Sequence, residues 1–438
     1  MNNPSNVPHF LRKNQSEDLI LFPEEPNSAF QAKDLDRLLV WASEVGASDI
    51  TIQSDEQVFL ETGSGMHRAT RRYWSNEEVL DSLAHMFGNA SIKSRMSDAR
   101  DSDFAYDLRP ERNRRFRFRV NATGILTNGK PGVQITMRTI PSLPPKMSDL
   151  GLEEDIIANI APRQGMILLT GATGSGKTTL LAAAVREMLE DPKGNRKIIT
   201  GESPIEFVFD EVVRPTTSIA QSEIGRNLDS FTAFIRGALR RKPSIILLGE
   251  ARDAETIGEA IVASQTGHLV LTTAHTNGFA ETIRRMVSVF GENERNARAV
   301  DLISALRMTV SQTLVPGKHG GRVAIREYVV MNEEIVETLL DSDLDRLSLT
   351  SKRVLDQHGQ SFLKAAQRAY EEDRITAEVL KRFQYGERAS KRDVVTVGKA
   401  LEAPNTLAHH GVGVVGAEDP LSQDVGVADS RLNDLEHL

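Results

Sequence analysis

A glycine-rich stretch near the middle of the chain holds the residues with the clearest chemistry. Residues 171–179 match the pattern G-x-x-x-x-G-K-[ST] and follow an apolar run at residues 166–170, which predicts a buried strand. The residues from 180 onward predict a helix, so the glycines lie in a strand-to-helix loop. Glycine can turn tightly there and aim successive N–H groups at phosphate oxygens, to which the helix N-terminus adds partial positive charge. The stretch predicts a nucleoside triphosphate site rather than an ordinary turn with an exposed lysine.

Each residue of this loop is a candidate nucleotide contact. The predicted nucleotide-binding residues are Gly171, Ala172, Thr173, Gly174, Ser175, Gly176, Lys177, Thr178 and Thr179. We expect Lys177 to reach the β- and γ-phosphates and the hydroxyl of Thr178 to ligate Mg²⁺. The predicted ligands are therefore ATP and Mg²⁺.

Carboxylates follow two further predicted strands. The run 244–250 predicts a buried strand that ends in the carboxylate of Glu250, which can polarise water and help to hold Mg²⁺. Gly249 stands where many proteins with this loop have an aspartate, which leaves direct metal ligation by the protein open. Glu202 follows another predicted strand and is either a general base for the attacking water or a solvated loop residue. The same two interpretations apply to Glu206.

Two histidines bracket the apolar run at 269–274. A neutral, hydrogen-bonded histidine at a strand end is commoner than a catalytic one, so His268 and His275 keep both interpretations. Their separation along one strand is about 20 Å at ~3.3 Å per residue, which argues against a shared metal ion.

An arginine-rich segment alternates strictly. Residues 115–120 place Phe116, Phe118 and Val120 on one face of a strand and arginines on the other. The arginines could line a solvated face, a nucleic-acid patch, or a nucleotide on a neighbouring domain or subunit. A nucleic-acid surface is better supported by exposed aromatic residues between the arginines, and here the aromatic residues lie on the apolar face.

Composition limits the class of protein. The net charge of −8 over 438 residues argues against a whole-molecule polyanion binder, and we expect no sequence-specific nucleic-acid binding. Cysteine is absent, which excludes disulfides and thiolate zinc sites and suits a reducing cytoplasm. Since the start lacks an export signal and no run approaches ~20 apolar residues, we expect no integral membrane segment.

Composition and periodicity also divide the chain into segments. We predict a loosely ordered leader at 1–27, an α+β domain at 28–140, a proline-rich linker at 141–147, an α/β domain at 148–331, a helical region at 332–390 and a disordered acidic tail at 391–438. In the α/β domain, strands near 166–170, 197–200, 244–248 and 269–273 alternate with helices such as 231–241. This alternation predicts a mainly parallel sheet covered on both faces.

The motifs in their order resemble the secretion ATPase superfamily, whose members include PilT-like proteins. Residues 171–179, 200–207, 247–253 and 266–275 are similar to its Walker A, Asp box, Walker B and His box, and the resemblance extends over residues 30–385. Within the superfamily, the chain looks most similar to the DotB and TraJ ATPases of type IVB secretion and conjugation systems. Residues 333–340 do not match the Ala-Ile-Arg-Asn-Leu-Ile-Arg-Glu signature of pilus-retraction motors.

The resemblance implies a fold, an assembly and site residues. The fold is α/β, with a RecA-like P-loop ATPase domain, a smaller N-terminal α+β (PAS-like) domain and a helical C-terminal region. The assembly is a homo-hexamer with each nucleotide between the two domains and arginines supplied by the neighbouring chain. The implied catalytic residues are Glu202 as water activator, Glu250 as the Walker B carboxylate and metal ligand with Thr178, His268 and His275 as γ-phosphate-linked switches, and Arg119 and Arg138 as trans arginines.

Together these features predict a hexameric ATPase motor for type IVB secretion or conjugative transfer. Its expected partners are inner-membrane proteins of that machine, which would recruit it peripherally from the cytoplasm. Three alternatives are a type IV pilus-retraction motor, a helicase-like ATPase stimulated by DNA, and a non-hydrolysing nucleotide-dependent assembly scaffold.

Overall fold

The computed structural model describes residues 20–384, apart from residues 113 and 142. The predictions for the tail, for residues 1–19 of the leader and for the end of the helical region lie outside the described residues. The described chain forms two sheets with helices packed around them.

The first sheet belongs to the N-terminal α+β domain. Its strands run antiparallel in the order β3-β2-β1-β6-β5-β4. Their bounds are β1 (Asp49–Gln53), β2 (Phe59–Thr62), β3 (Gly65–Arg68), β4 (Ser102–Glu111), β5 (Arg114–Thr127) and β6 (Lys130–Ile140), with helices α1 (Ala32–Glu44), α2 (Asn76–Phe87) and α3 (Ser91–Ser97). The helices predicted near 34–45 and 77–87 are confirmed.

One face of this sheet is buried under the helices. The core includes Phe104, Phe118 and Val120, so the predicted apolar face of the arginine-rich strand is confirmed. Phe22 is also buried in this core, and its N–H donates to the carbonyl oxygen of Ala69. The leader predicted over residues 1–27 is therefore wrong at its end, because an aromatic side chain there packs against the domain.

The second sheet is mainly parallel, in the order β13-β12-β7-β11-β10-β8-β9. Only the pair β12 and β13 is antiparallel among these described strands. The strands are β7 (Gly165–Thr170), β8 (Lys197–Glu202), β9 (Ser218–Glu223), β10 (Ile245–Leu248), β11 (Leu269–Ala274), β12 (Leu306–Pro316) and β13 (Arg322–Val330), and the helices are α4 (Glu154–Asn159), α5 (Lys177–Glu190), α6 (Phe231–Leu239), α7 (Ala254–Gln265), α8 (Phe279–Ser288) and α9 (Arg295–Ala305).

Helices cover both faces of this sheet, as predicted. Met166 and Leu168 of β7 pack in the core beneath α6 to α9, whereas Ile167 and Leu169 pack in the core beneath α5. Alternate residues of one strand point to opposite faces, so a strand buried on both sides reads as a continuous apolar run. The mixed α/β architecture with a RecA-like domain is confirmed.

A helical region follows β13. It comprises α10 (Glu333–Leu340), α11 (Leu347–His358), α12 (Phe362–Glu371) and α13 (Ala377–Gln384). Helices α12 and α13 pack on the ends of β12 and β13 through an apolar cluster that includes Val315 and Ile325. Across the described residues, no helix combines the length and the apolar character needed to cross a bilayer.

Candidate functional site

The glycine-rich loop, which we call the P-loop, joins β7 to α5. Gly171, Gly174 and Gly176 have φ values of 140°, 78° and 85°, a region that L side chains rarely adopt. A Cβ atom on Gly171 would lie 2.3 Å from the carbonyl oxygen of Gln312, which leaves no room for a larger residue. The loop therefore requires glycine at these positions, and α5 begins directly after it at Lys177.

The side chain of Lys177 folds back onto the start of the P-loop. It is 7% exposed, and its Nζ donates to the carbonyl oxygens of Gly171 (2.8 Å) and Ala172 (2.9 Å). Burial lowers the pKa of the Lys177 ammonium, while the charges of Glu250 and Glu206 oppose that shift. The hydroxyl of Ser175 in the same loop is buried without a hydrogen-bond partner among the described residues. A buried cation and an unsatisfied donor within a glycine cradle fit an anionic phosphate group.

The ends of neighbouring parallel strands bring the predicted carboxylates to the same edge of the sheet. Strand β11 pairs with β7, β10 with β11 and β8 with β10, all in parallel. Glu250 therefore follows β10 and His275 follows β11 on the edge from which the P-loop emerges. The Nε2 of His275 lies 3.2 Å from Oε1 of Glu250, and a guanidinium nitrogen of Arg252 lies 2.6 Å from Oε2.

Glu202 ends β8 and is buried. It is 8% exposed, and its Oε1 accepts hydrogen bonds from the hydroxyl of Thr200 (2.6 Å) and from the side-chain amide of Gln221 (3.3 Å). Burial raises the pKa of the Glu202 carboxyl to about 7, against the effect of these two hydrogen bonds. The structure therefore rejects the interpretation of Glu202 as a solvated loop residue. A carboxyl group that titrates near neutral pH is suited to general-base chemistry.

The donors near the P-loop also fit a metal ion that is shared with a nucleotide. Thr178 lies in the first turn of α5, and Glu250 lies at the strand end that faces the loop. The described residues contain no group of three or more His, Asp or Glu side chains that could hold a metal alone. Mg²⁺ commonly combines one or two protein ligands with substrate phosphates, which matches this donor set.

The arginine face of β5 packs on the α/β domain of the same chain. Arg117 is 3% exposed and donates to the carbonyl oxygens of Ile205 and Glu206, in the segment directly after Glu202. Arg115 pairs with Asp210. The solvated-face interpretation is wrong for these two arginines, because the second domain covers them.

The structure places the two predicted trans arginines differently. Arg119 lies beside the Asp box, with a guanidinium nitrogen 3.2 Å from Oε1 of Glu206. Arg138 remains within the N-terminal domain, where its Nε lies 2.9 Å from Asp49. Of these two predicted trans arginines, Arg119 is the one that contacts the segment after Glu202, the candidate base.

His268 lies at the opposite edge of the sheet from the P-loop of its own chain. It precedes β11, its carbonyl oxygen accepts from the N–H of Gly165 at the start of β7, and its Nδ1 lies 3.0 Å from the carbonyl oxygen of Ala263. The six-residue β7 separates this position from the loop by about 20 Å. The predicted γ-phosphate role of His268 is therefore wrong for the site of its own chain, whereas His275 lies at the P-loop edge.

Sequence reasoning missed two buried polar residues next to the P-loop. Gln312 of β12 donates from Nε2 to the carbonyl oxygen of Ser175, and Arg326 of β13 donates to Gln312. Both are polar residues inside otherwise apolar strands, and a buried polar side chain needs a partner. That pattern is the signal that could have identified them.

The comparisons with known proteins agree with this geometry. The family model described as "Type II/IV secretion system protein" matches residues 24–381. The X-ray structure of the Legionella pneumophila ATPase DotB is 42% identical, with a TM-score of 0.80, and the match covers 84% of this chain and 100% of that chain. The Pseudomonas aeruginosa type IV pilus retraction ATPase PilT is 36% identical over 297 residues, covering 68% of this chain and 82% of PilT.

A crystal structure of the pilus retraction motor PilT with bound ADP is also similar, with 27% identity and a TM-score of 0.68 over 82% of this chain and 98% of that chain. The resemblance to PilT-like secretion ATPases is thereby confirmed. With the P-loop, the strand-end carboxylates and a family match across both domains, the chain belongs to the type II/IV secretion system protein family and is an ATP-hydrolysing enzyme.

Proposed function

We propose that this enzyme is a hexameric motor that hydrolyses ATP to power a type IVB secretion or conjugative transfer machine. The observation that carries the proposal is the match with DotB, at 42% identity over 100% of that chain. Residues 333–340, which form α10, also depart from the retraction-motor signature. The scaffold alternative is not retained, because the family comparisons support an ATP-hydrolysing enzyme.

The site residues support a mechanism for hydrolysis. The N–H groups of the P-loop and the Lys177 ammonium bind the phosphates, and Glu202 takes the proton of a water that attacks the γ-phosphorus. The bond between the γ-phosphorus and the β,γ-bridging oxygen breaks, so that ADP and phosphate leave. Mg²⁺, held by Thr178, Glu250 and phosphate oxygens, would neutralise charge on the transferred group. In this mechanism His275 senses the γ-phosphate through Glu250, and Arg119 and Arg138 of a neighbouring chain add positive charge.

Glu250→Gln tests the Walker B role directly. The variant keeps the size of the side chain and loses its negative charge, so we expect ATP binding within about threefold of wild type and a fall in kcat of at least about 100-fold, the scale of a lost transition-state electrostatic contact. Calorimetric titration with ATP and steady-state phosphate release measure the two quantities. Unchanged turnover would contradict the assignment.

The biological role is tested with Lys177→Ala introduced at the native locus. We expect protein secretion or plasmid transfer to fall to the level of a deletion strain, while twitching motility is retained. A wild-type copy supplied in trans should restore transfer, which controls for effects on neighbouring genes. Intact secretion and transfer in this strain would refute the proposal.

Pilus retraction is the second candidate, and the 36% identity with PilT over 82% of its length favours it. The same strain distinguishes the two functions. Twitching lost with transfer intact would move the assignment to a retraction motor.

The proposed assembly is a homo-hexamer in the cytoplasm that partner proteins recruit to the inner membrane, without sequence-specific contact with DNA. The net charge of −8 supports the absence of sequence-specific DNA binding in this proposal, because the phosphate backbone of DNA is also negatively charged. Flotation of the purified protein with vesicles of phosphatidylethanolamine and phosphatidylglycerol tests the recruitment. We expect no co-flotation without partner proteins, and firm association with these vesicles alone would overturn peripheral recruitment.

A further inference from the structure

We propose that Gln312 is a positioning residue of the P-loop, which holds the peptide between Ser175 and Gly176 so that its N–H faces the nucleotide phosphates. Arg326 fixes Gln312 in the orientation that this task requires. The inference rests on nucleotide binding at the P-loop and adds two residues that lie far from it in sequence.

Gln312 bridges two groups with opposite hydrogen-bonding needs. It is 5% exposed, its Nε2 donates to the carbonyl oxygen of Ser175 at 2.7 Å, and its Oε1 accepts from the Nε of Arg326 at 2.7 Å. A flipped amide would place its NH₂ group against the guanidinium and its oxygen against a carbonyl. Only one orientation satisfies both neighbours, so the amide is fixed by its partners.

The bond to Ser175 has a consequence for the other side of the same peptide. In a trans peptide the C=O and the following N–H point in opposite directions. Because Gln312 holds the Ser175 carbonyl outward against β12, the N–H of Gly176 is directed inward to the concave side of the loop. Gly176 is the N-cap of α5, where an inward N–H also coincides with the positive end of the helix dipole.

Gln312 packs closely against the glycines of the P-loop. A Cβ atom on Gly176 would lie 2.7 Å from Nε2 of Gln312, and one on Gly171 would lie 2.3 Å from its backbone oxygen. Two P-loop glycines therefore approach the same residue from both ends of the loop. A side chain of another shape at position 312 therefore changes the contact with Gly176, whereas the contact with Gly171 involves the backbone of Gln312.

Arg326 anchors this contact to the rest of the domain. It is 3% exposed and pairs with Gln312 in the register of β12 and β13. Its terminal nitrogens donate to the carbonyl oxygens of Leu150 (2.9 Å) and Gly151 (2.9 Å), and one lies 3.3 Å from Glu153. These bonds to fixed backbone groups hold the guanidinium in one orientation. Its Nε in turn holds the side-chain amide of Gln312 in place.

The test compares two substitutions of the full-length enzyme. Gln312→Met keeps the shape of the side chain and removes both hydrogen bonds, and Gln312→Glu keeps an acceptor for Arg326 but cannot donate to the Ser175 carbonyl. We expect the Kd of ATP and of ADP, measured by calorimetric titration, to rise about 10-fold in each variant. Because the N–H contacts the phosphates in ground state and transition state alike, KM should rise while kcat stays within about twofold. If Gln312→Met fails to fold, Gln312→Glu carries the test.

Gln360→Met is the matched control. The Nε2 of Gln360 donates to Glu153 and to the backbone oxygen of Arg326, so this change removes a similar amide without touching Ser175. We expect its nucleotide affinity to equal that of wild type. Wild-type affinity in a folded Gln312→Glu variant, a fall in kcat with unchanged KM, or an equal loss in Gln360→Met would each overturn the inference.

Lys177→Ala separates this inference from the nucleotide site on which it rests. If Lys177→Ala loses affinity while Gln312→Glu keeps it, only the role of Gln312 is refuted. If Lys177→Ala binds ATP as tightly as wild type, the P-loop assignment itself fails.

Discussion

Single residues at this site owe their chemistry to where the strands end. Glu202 sits at the carboxyl end of β8, where burial raises its pKa to about 7 and the hydrogen bonds from Thr200 and Gln221 oppose that shift. Glu206, four residues on, pairs instead with Arg119. The two carboxylates of this segment thus have different partners, and the buried Glu202 has the environment of a base poised near neutral pH.

The raised pKa of Glu202 predicts a pH dependence. A base acts in its ionised form, so kcat should fall about tenfold per pH unit below about 7 and level off above it. Glu202→Gln should lose most of the hydrolysis at every pH, whereas Glu206→Gln should retain the inflection. Steady-state phosphate release between pH 5.5 and 8.5, values chosen to flank that pKa, measures both profiles. A wild-type rate that is flat across this range would contradict the assignment.

The raised pKa of Glu202 also predicts how the free energy of unfolding depends on pH. The folded state binds the Glu202 proton more tightly than the unfolded chain, so this group lowers the free energy of unfolding as pH rises from about 4.5 to about 7. Part of that loss should be absent in Glu202→Gln, as measured by urea unfolding at the two ends of the window.

At the scale of elements, the strand β5 joins the two domains. Its apolar residues complete the N-terminal core, while Arg117 reaches across to the carbonyl oxygens of Ile205 and Glu206. A second contact between the domains is formed by the buried carboxylate of Glu223 on β9, which accepts a hydrogen bond from the N–H of Ala105 on β4. These contacts bind the segment after Glu202 to the N-terminal domain.

Arg117→Met should loosen this contact. Hydrogen bonds from a charged donor contribute about 1.5–3 kcal/mol each, and the removed cost of burying the guanidinium offsets part of that, so we expect a net loss of about 2 kcal/mol in local stability. Hydrogen exchange of the amides at 205–209 should accelerate. The exposed Arg112→Met serves as the control and should leave these amides unchanged. Equal protection in both variants would contradict the coupling.

The packing of α6 on β8 is equally specific. A Cβ atom on Gly201 would lie 2.5 Å from the ring of Phe234, so Gly201→Ala should destabilise the enzyme by about 1–3 kcal/mol. On the same helix as Phe234, a Cβ atom on Gly237 meets nothing within 4 Å, so Gly237→Ala should stabilise by up to about 1 kcal/mol through its helix propensity. Thermal unfolding of the pair checks the sign of each change, and equal shifts would argue against the close contact.

For the whole molecule, the fold provides two domains that meet beside the nucleotide site. Arg119 lies next to Glu206 in its own chain, and Arg138 lies within the N-terminal domain. The proposed hexamer would bring these arginines from one chain to the nucleotide of the next, so activity should depend on assembly.

Steady-state ATP hydrolysis across a protein dilution series tests this dependence. We expect specific activity to rise with the amount of a six-subunit species, followed by light scattering in the same samples, because a monomer lacks the arginines of its neighbour. Arg119→Ala should assemble normally and lose activity. Constant specific activity in a monomer would remove the trans-arginine mechanism.

The outcome for particular residues shows where sequence reasoning succeeds. The P-loop was recognisable because its glycines, lysine and threonine are contiguous, and the apolar runs at 166–170 and 269–273 predicted strands because burial on both faces leaves a local pattern. The bounds of α6 were less accurate, since the helix ends at Leu239 rather than 241. Helix ends depend on local capping as well as on periodicity.

The sequence by itself determined the nucleotide chemistry, the α/β class and the order of the motifs, because each is written in neighbouring residues. Tertiary structure alone decided that His275 rather than His268 lies at the P-loop edge of the sheet, that Arg117 is buried, and that Gln312 supports Ser175 across 137 positions. These facts depend on strand direction, strand register and domain packing, which bring together residues whose separation in the chain carries no periodic signal.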